Sequence, residues 1–174
     1  AVHDAFAPVL TAPIGLKWPN DVLAAGPGPN AGRKLAGILV ESATGGERLD
    51  YAVLGIGLNL RAVPHPDPDA ARRAISLAEL GASLDRKAAY DRLATAIGAL
   101  IDRIQSRGLD FVPAAWEARA LGLNRTVTVR VGARALTGTL LGLAPDGGLR
   151  IGSTAGSEET IYTGELDPGS LIGA

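Results

Sequence analysis

Three short segments between residues 14 and 60 interrupt an otherwise apolar run with polar residues or glycine: Lys17-Trp18-Pro19-Asn20-Asp21, Lys34-Leu35-Ala36-Gly37-Ile38-Leu39-Val40-Glu41 and Gly55-Ile56-Gly57-Leu58-Asn59-Leu60. A polar group in apolar surroundings is costly unless it is paired, and glycine inside a strand weakens it unless a ligand or another backbone must come close. A bound ligand meets both conditions. Lys34 opens an apolar strand, either as a charge that a ligand pairs or as a lysine snorkelling from a strand end. Gly37, Gly55 and Gly57 either admit a ligand or mark a bulge or tight sheet packing. Asn20, Asp21 and Asn59 put donors and acceptors at strand ends. Asp21 is equally readable as a turn aspartate satisfied by local backbone, Lys17 as an exposed strand lysine, and Trp18 as core.

The elements that must position these residues follow from periodicity. Val2, Phe6, Val9 and Leu10 have helical spacing, which Pro13 ends. Residues 14–18 and 21–24 read as strands around the Pro19-Asn20 turn, and the glycine- and proline-rich stretch 26–32 as a loop. Residues 34–42 and 49–60 read as neighbouring central strands of an antiparallel pair, joined near Gly45-Gly46. The stretch 64–69 has the composition of an exposed loop with a solvated acid pair. A helix is predicted over 87–107, with Asp85 as cap, an apolar face from Tyr90 to Ile104, and Gly108 as its end. A short helix around Trp116 follows. From about residue 123 the period changes to two, with strands over 126–131, 135–143, 149–152 and 159–163, the outline of a small β-barrel. The barrel is small enough that it is expected to share an apolar surface with the preceding helices.

Composition removes several function classes. The net charge of −1 gives no basic field of the kind nonspecific nucleic-acid binding needs. There is no cysteine, so disulfides and thiolate metal sites are excluded; with only His3 and His65, any metal is expected to arrive with a nucleotide. No apolar run is long enough to span a membrane and no secretory signal is visible, which makes the cytoplasm the default location. The chain lacks methionine and opens in what reads as the tail of an apolar helix, so a truncated start is expected.

The order KWPND, KLAGILVE, GIGLNL, followed by helices and a small barrel, resembles the biotin protein ligases, which attach biotin to a lysine of a carboxylase subunit. The resemblance implies an α/β (α+β) fold: a mixed, largely antiparallel sheet packed with helices over residues 1–122, then an SH3-like β-barrel over residues 123–174. It also implies a two-step reaction in which the biotin carboxylate attacks the α-phosphate of ATP to give biotinyl-5'-AMP, and the acceptor lysine then attacks the acyl carbon. Lys34 stands where similar enzymes keep the lysine that touches biotin and the adenylate. By the same resemblance Gly37, Gly55 and Gly57 join Lys34 in binding biotin, while Lys17, Asn20, Asp21 and Asn59 are nucleotide-side residues. Asp21 is also a candidate for Mg²⁺ entering with ATP. The implied partner is the biotin carboxyl carrier domain of acetyl-CoA carboxylase or a related carboxylase; homodimer formation is left open, and no nucleic acid or membrane partner is expected.

Two departures qualify the likeness. A glycine- and arginine-rich loop of the GRGRxGR kind is absent, so the chain is expected to be the carboxy-terminal part of a ligase, inactive in adenylation by itself. The barrel's usual late arginine is also missing: Gly164-Glu165-Leu166-Asp167-Pro168-Gly169 has none. The competing readings are a lipoate ligase, which shares the acyl-adenylate strategy, and a non-catalytic biotin-binding or regulatory remnant.

Overall fold

The computed structural model describes residues 1–46, 48–61, 67–153 and 156–171. Helix α1 (Val2–Phe6) and a short 3-10 turn lead into four strands, β1 (Ile14–Lys17), β2 (Asp21–Ala24), β3 (Lys34–Gly45) and β4 (Arg48–Leu58), which pair antiparallel in the order β1-β2-β3-β4. Single parallel bridges, Leu16 to Ala120 and Lys34 to Ala74, make the sheet mixed. Helices α2 (Pro68–Arg73), α3 (Arg86–Arg107) and α4 (Val112–Glu117) follow. The C-terminal sheet holds β5 (Thr126–Val131), β6 (Arg134–Leu143), β7 (Leu149–Gly152), β8 (Glu158–Ile161) and β9 (Glu165–Leu166) in the order β8-β7-β6-β5-β9, and α5 (Pro168–Leu171) ends the described chain.

Strand alternation lets β2 serve two cores. Val22 and Ala24 join Phe6, Leu35, Ile75 and Leu80 in one buried cluster, while Leu23 between them joins Trp18, Val127, Leu140 and Leu149 in the other. The C-terminal sheet therefore packs on Trp18 and Leu23 of the β1–β2 hairpin and, as expected, on a preceding helix: Trp116 of α4 joins the same cluster and Glu117 accepts the Leu143 N–H at 3.2 Å. Gly15 makes the approach feasible: a Cβ there would stand 2.6 Å from a Leu121 side-chain carbon.

The predicted helix is present, capped as expected. Asp85 accepts a hydrogen bond from the Ala88 N–H at 2.7 Å, and Gly108 closes the helix at φ 68°. Its apolar face, however, is only partly covered: Ala89 is buried, Leu93, Ile97, Leu100 and Ile104 are half-buried, and Tyr90 and Ile101 are exposed, because the short α1 is its main neighbour. The two strands pair antiparallel as expected and β3 is an inner strand, but the placement of β4 at the sheet's centre is corrected. β4 is an edge strand, and beyond Ile38 the two strands extend as an arm with Leu39, Val40, Tyr51, Val53 and Leu54 exposed. The cause is register: only the residues near Ala36 and Leu58 lie over the core. The stretch 64–69 falls partly outside the described residues, and its end forms α2 instead of a loop. The last predicted strand is shorter and begins one residue earlier, and the short β9 and α5 were beyond the reach of the pattern.

Candidate functional site

Register places Lys17, Asp21, Gly37 and Gly57 opposite one another on β1, β2, β3 and β4. Directly paired residues share a face of a sheet, so the four form one row. It lies on the face opposite the one bearing Val22, Ile38 and Ile56, which pack into the first core. Gly55 is two residues from Gly57 on the same strand and joins that face. The sequence motifs that looked separate are thus one transverse line.

Asp21 is the row's centre of charge. Lys17 Nζ donates to Asp21 Oδ2 at 3.0 Å and to Glu165 Oε1 at 3.0 Å. Lys34 Nζ lies 2.5 Å from Asp21 Oδ1; the approach is ionic without good hydrogen-bond alignment, and Oδ1 has no other hydrogen-bond partner among the described residues. The Lys17 side chain is only 1% exposed, against 47% for Lys34. A buried ammonium is tolerated only with close counter-charges, and the two carboxylates supply them. The reading of Lys17 as an exposed strand lysine is therefore corrected, and the turn reading of Asp21 gives way to a carboxylate shared by two lysines.

The three glycines differ in what the chain asks of them. A Cβ at Gly37 would stand 2.9 Å from Lys34 Nζ and 3.0 Å from Lys34 Cε, so glycine there leaves room for the lysine to lie across the strand. At Gly55 and Gly57 an added Cβ would meet nothing nearer than 3.7 and 3.9 Å. Packing among the described residues does not require glycine at either position and leaves the space above them open.

Lys34, Gly37, Gly57 and Asn59 line a depression of about 600 Å³, together with Arg73 and Ala74. Asn59 is used by the fold as well: its Nδ2 donates to the carbonyls of Lys34 and Ile75, both at 3.1 Å, tying the end of β4 to the start of β3. Asn20 is exposed in the β1–β2 turn, where its carbonyl accepts the Ile38 N–H at 2.8 Å; it does not line the depression. Trp18 is buried in the second core. With an ammonium against each of its oxygens, Asp21 offers no free anionic oxygen to a metal, and no cluster of three or more metal-ligating side chains occurs among the described residues. The donor set suits anion handling.

Sequence reasoning missed the supports behind Lys34. Arg33 donates to the Ala74 carbonyl, to Asn30 Oδ1 at 2.8 Å and to Glu79 Oε1 at 2.9 Å, which staples the loop before β3 to residues 74–79. Buried Ser76 donates to Glu79 Oε2 at 2.8 Å. Partial burial works to raise the pKa of Glu79, but the hydrogen bonds from Ser76 and Arg33 outweigh it and hold the carboxyl below its usual range. Arg33 beside Lys34 was legible as an arginine; its distant partners Ala74 and Glu79 were not. Glu165 was visible in the sequence only as the neighbour of a missing arginine, although a lysine that proves buried demands such a partner.

Residues 9–59 match the biotin/lipoate A/B protein ligase family and residues 122–167 match the biotin protein ligase C-terminal domain. The chain is 42% identical over 137 residues to a biotin–[acetyl-CoA-carboxylase] ligase of Mycobacterium tuberculosis, covering 75% of this chain and 45% of the relative. A ligase of the same description from Paracoccus denitrificans is 31% identical over 150 residues, covering 84% of this chain and 60% of the relative. The chain thus spans about half the length of these curated relatives. Among solved structures, the biotin protein ligase of Aquifex aeolicus in complex with biotin and ATP superposes with a TM-score of 0.73 at 27% identity, covering 95% of this chain and 66% of that one.

Proposed function

The chain belongs to the biotin/lipoate A/B protein ligase family, and on that footing we propose that it serves the ATP-dependent attachment of biotin to a lysine of a biotin carboxyl carrier domain by way of biotinyl-5'-AMP. The observation that carries the reading is the Lys34 ammonium, held by Asp21 over Gly37 at the edge of a depression floored by Gly57. In the first step the biotin carboxylate oxygen bonds to the α-phosphorus and pyrophosphate leaves. In the second the acceptor amine bonds to the acyl carbon, AMP leaves, and the amine loses its proton. Both steps build negative charge at the carboxylate–phosphate junction, and a fixed cation there stabilises both. Lys34 is that cation, and it is available because its counter-ion is a side chain that keeps Lys17 when Lys34 turns to the ligand.

Gly37, Gly55 and Gly57 let the ligand approach the backbone, and Asn59 presents its remaining carboxamide oxygen from the far wall. Asn20 serves the nucleotide only as an outer, turn-borne group. Lys17 acts through Asp21 rather than on phosphate directly. Mg²⁺ enters with ATP and neutralises phosphate charge, with no direct bond to Asp21. We place the division between catalytic and C-terminal parts near residue 122, where the chain leaves its bridge to β1. The partner is a carboxyl carrier domain in the cytoplasm; no helix of the described chain is long and apolar enough to cross a membrane.

The test is an amide-resolved NMR titration of the chain with biotinol-5'-AMP, a stable phosphodiester analogue of the adenylate, beside its lipoyl counterpart. Shifts centred on Gly37, Gly57 and Asn59 and stronger with the biotin analogue are expected. Shifts confined to other surfaces, or a preference for the lipoyl analogue, overturn the reading.

A further inference from the structure

Glu165, Lys17, Asp21 and Lys34 form an unbroken line of alternating charges that starts on β9 of the C-terminal sheet and ends in the depression. The successive contacts are 3.0, 3.0 and 2.5 Å. The two inner members are the buried ones, with side chains 1% and 10% exposed, whereas Lys34 and Glu165 are 47% and 66% exposed. Screening by water is weakest where the line passes through protein, so the inner pair transmits a change of charge at either end more strongly than solvent would. A domain-docking contact needs only Lys17 and Glu165. The continuation through Asp21 to the cation of the depression is additional.

We infer that Glu165 is a positioning residue for Lys34, acting through Lys17 and Asp21 to set how firmly Asp21 retains the Lys34 ammonium. The inference rests on the proposed role of Lys34. Asp21 competes with the anionic ligand for that ammonium. When Glu165 shares Lys17, less of the Lys17 charge is left for Asp21, and Asp21 holds Lys34 more tightly. With the Glu165 charge removed, Lys17 serves Asp21 alone and Lys34 is freed for the ligand. Removal of the Lys17 charge does the reverse, leaving Asp21 with Lys34 as its one counter-ion. The C-terminal sheet thereby tunes the readiness of a cation on a different sheet, with no contact of its own to the ligand.

The signs alternate along the line, and this sets the experiment apart from a structural one. Affinity of the full chain for biotinol-5'-AMP is measured by calorimetry for wild type, Glu165→Gln, Lys17→Met and Asp21→Asn, and for Glu165→Gln combined with Asp21→Asn. Thermal melts accompany each. Glu165→Gln keeps an oxygen for Lys17 and is expected to tighten binding by on the order of fivefold, while Lys17→Met weakens it by a similar factor. If both variants weaken binding, or neither changes it, Glu165 and Lys17 only dock the two sheets and the inference falls. The tightening by Glu165→Gln is expected to vanish when Asp21 is Asn; if it persists undiminished, the charge acts through space and no relay exists. Should Lys17→Met melt early, Lys17→Gln, which keeps a donor toward Asp21, reads the same sign. Failure of wild type itself to bind the analogue would instead count against the proposed function.

Discussion

The Lys34 ammonium rests where a side chain on Gly37 would be, 2.9 Å from the position of the missing Cβ, and Asp21 holds it there from the neighbouring strand. The lysine and the glycine, three residues apart in one motif, are thus two halves of a single arrangement. Gly37→Ala should displace the lysine from Asp21 and leave the carboxylate with Lys17 alone. The expected result is a stability loss of about 1 kcal/mol together with a weakened response to the adenylate analogue. A denaturant melt beside the calorimetric titration checks both.

Gly57→Ala should behave differently. An added Cβ meets nothing nearer than 3.9 Å, and alanine suits a strand slightly better than glycine, so stability should hold or rise by about 0.5 kcal/mol. Affinity for the analogue should nonetheless fall, because the methyl fills space above the floor of the depression. Unchanged affinity in a well-folded variant would show that Gly57 serves something other than the ligand.

For Lys34 the expectation concerns both half-reactions. Removal of one preorganised cation typically costs about 3 to 4 kcal/mol, or roughly a hundred- to a thousandfold in rate. Lys34→Ala should therefore abolish most single-turnover adenylate formation in the complete gene product. Global stability should change by only about 1 kcal/mol, since the side chain is half exposed and Asp21 keeps Lys17. Lys34→Arg should rescue poorly, because a planar fork does not fit the place of a compact ammonium between Asp21 and Gly37.

Much of this site was legible before the fold was known, and the reason is local. The interruptions of apolar runs at Lys34, Gly37, Gly55 and Gly57 are properties of short windows, as are the strands and the Asp85 cap. Whether a residue is buried depends on what lies across from it, and this is where the reading failed. Lys17 belongs to a strand of the right kind, but its environment is decided by Glu165, 148 residues later. The outer half of β3 and β4, and Tyr90 and Ile101 on α3, carry the pattern of buried elements while remaining exposed. Periodicity identifies a face able to be covered; it does not say what covers it.

The supports of the loop before β3 give a pH prediction. The Glu79 carboxyl has a folded-state pKa held below its usual 4.5 despite the opposing effect of partial burial, because Ser76 and Arg33 hydrogen-bond to the charged form. A carboxyl with a depressed folded pKa contributes stability that is present above its unfolded value and is lost as pH falls through the folded value. Glu79→Gln should therefore be less stable than wild type at neutral pH, and the difference should shrink as pH falls below 4.5. Urea melts at closely spaced pH values would show it; a gap independent of pH would assign the effect to shape alone.

The arm formed by β3 and β4 carries the last expectation. Tyr51, Val53 and Leu54 are each more than half exposed on an edge strand whose outer backbone groups have no neighbouring strand among the described residues. An apolar edge of this kind invites pairing with a second copy, and natural edges are commonly blunted by a lysine. The purified chain should therefore associate in a concentration-dependent way, and Val53→Lys should shift it toward monomer. Because position 53 lies outside both cores, the substitution should move folding stability by no more than about 0.5 kcal/mol. Sedimentation velocity over a tenfold range of concentration separates the outcomes: an unchanged distribution in the lysine variant would place the association on another surface, with the open face of α3 the next to be substituted.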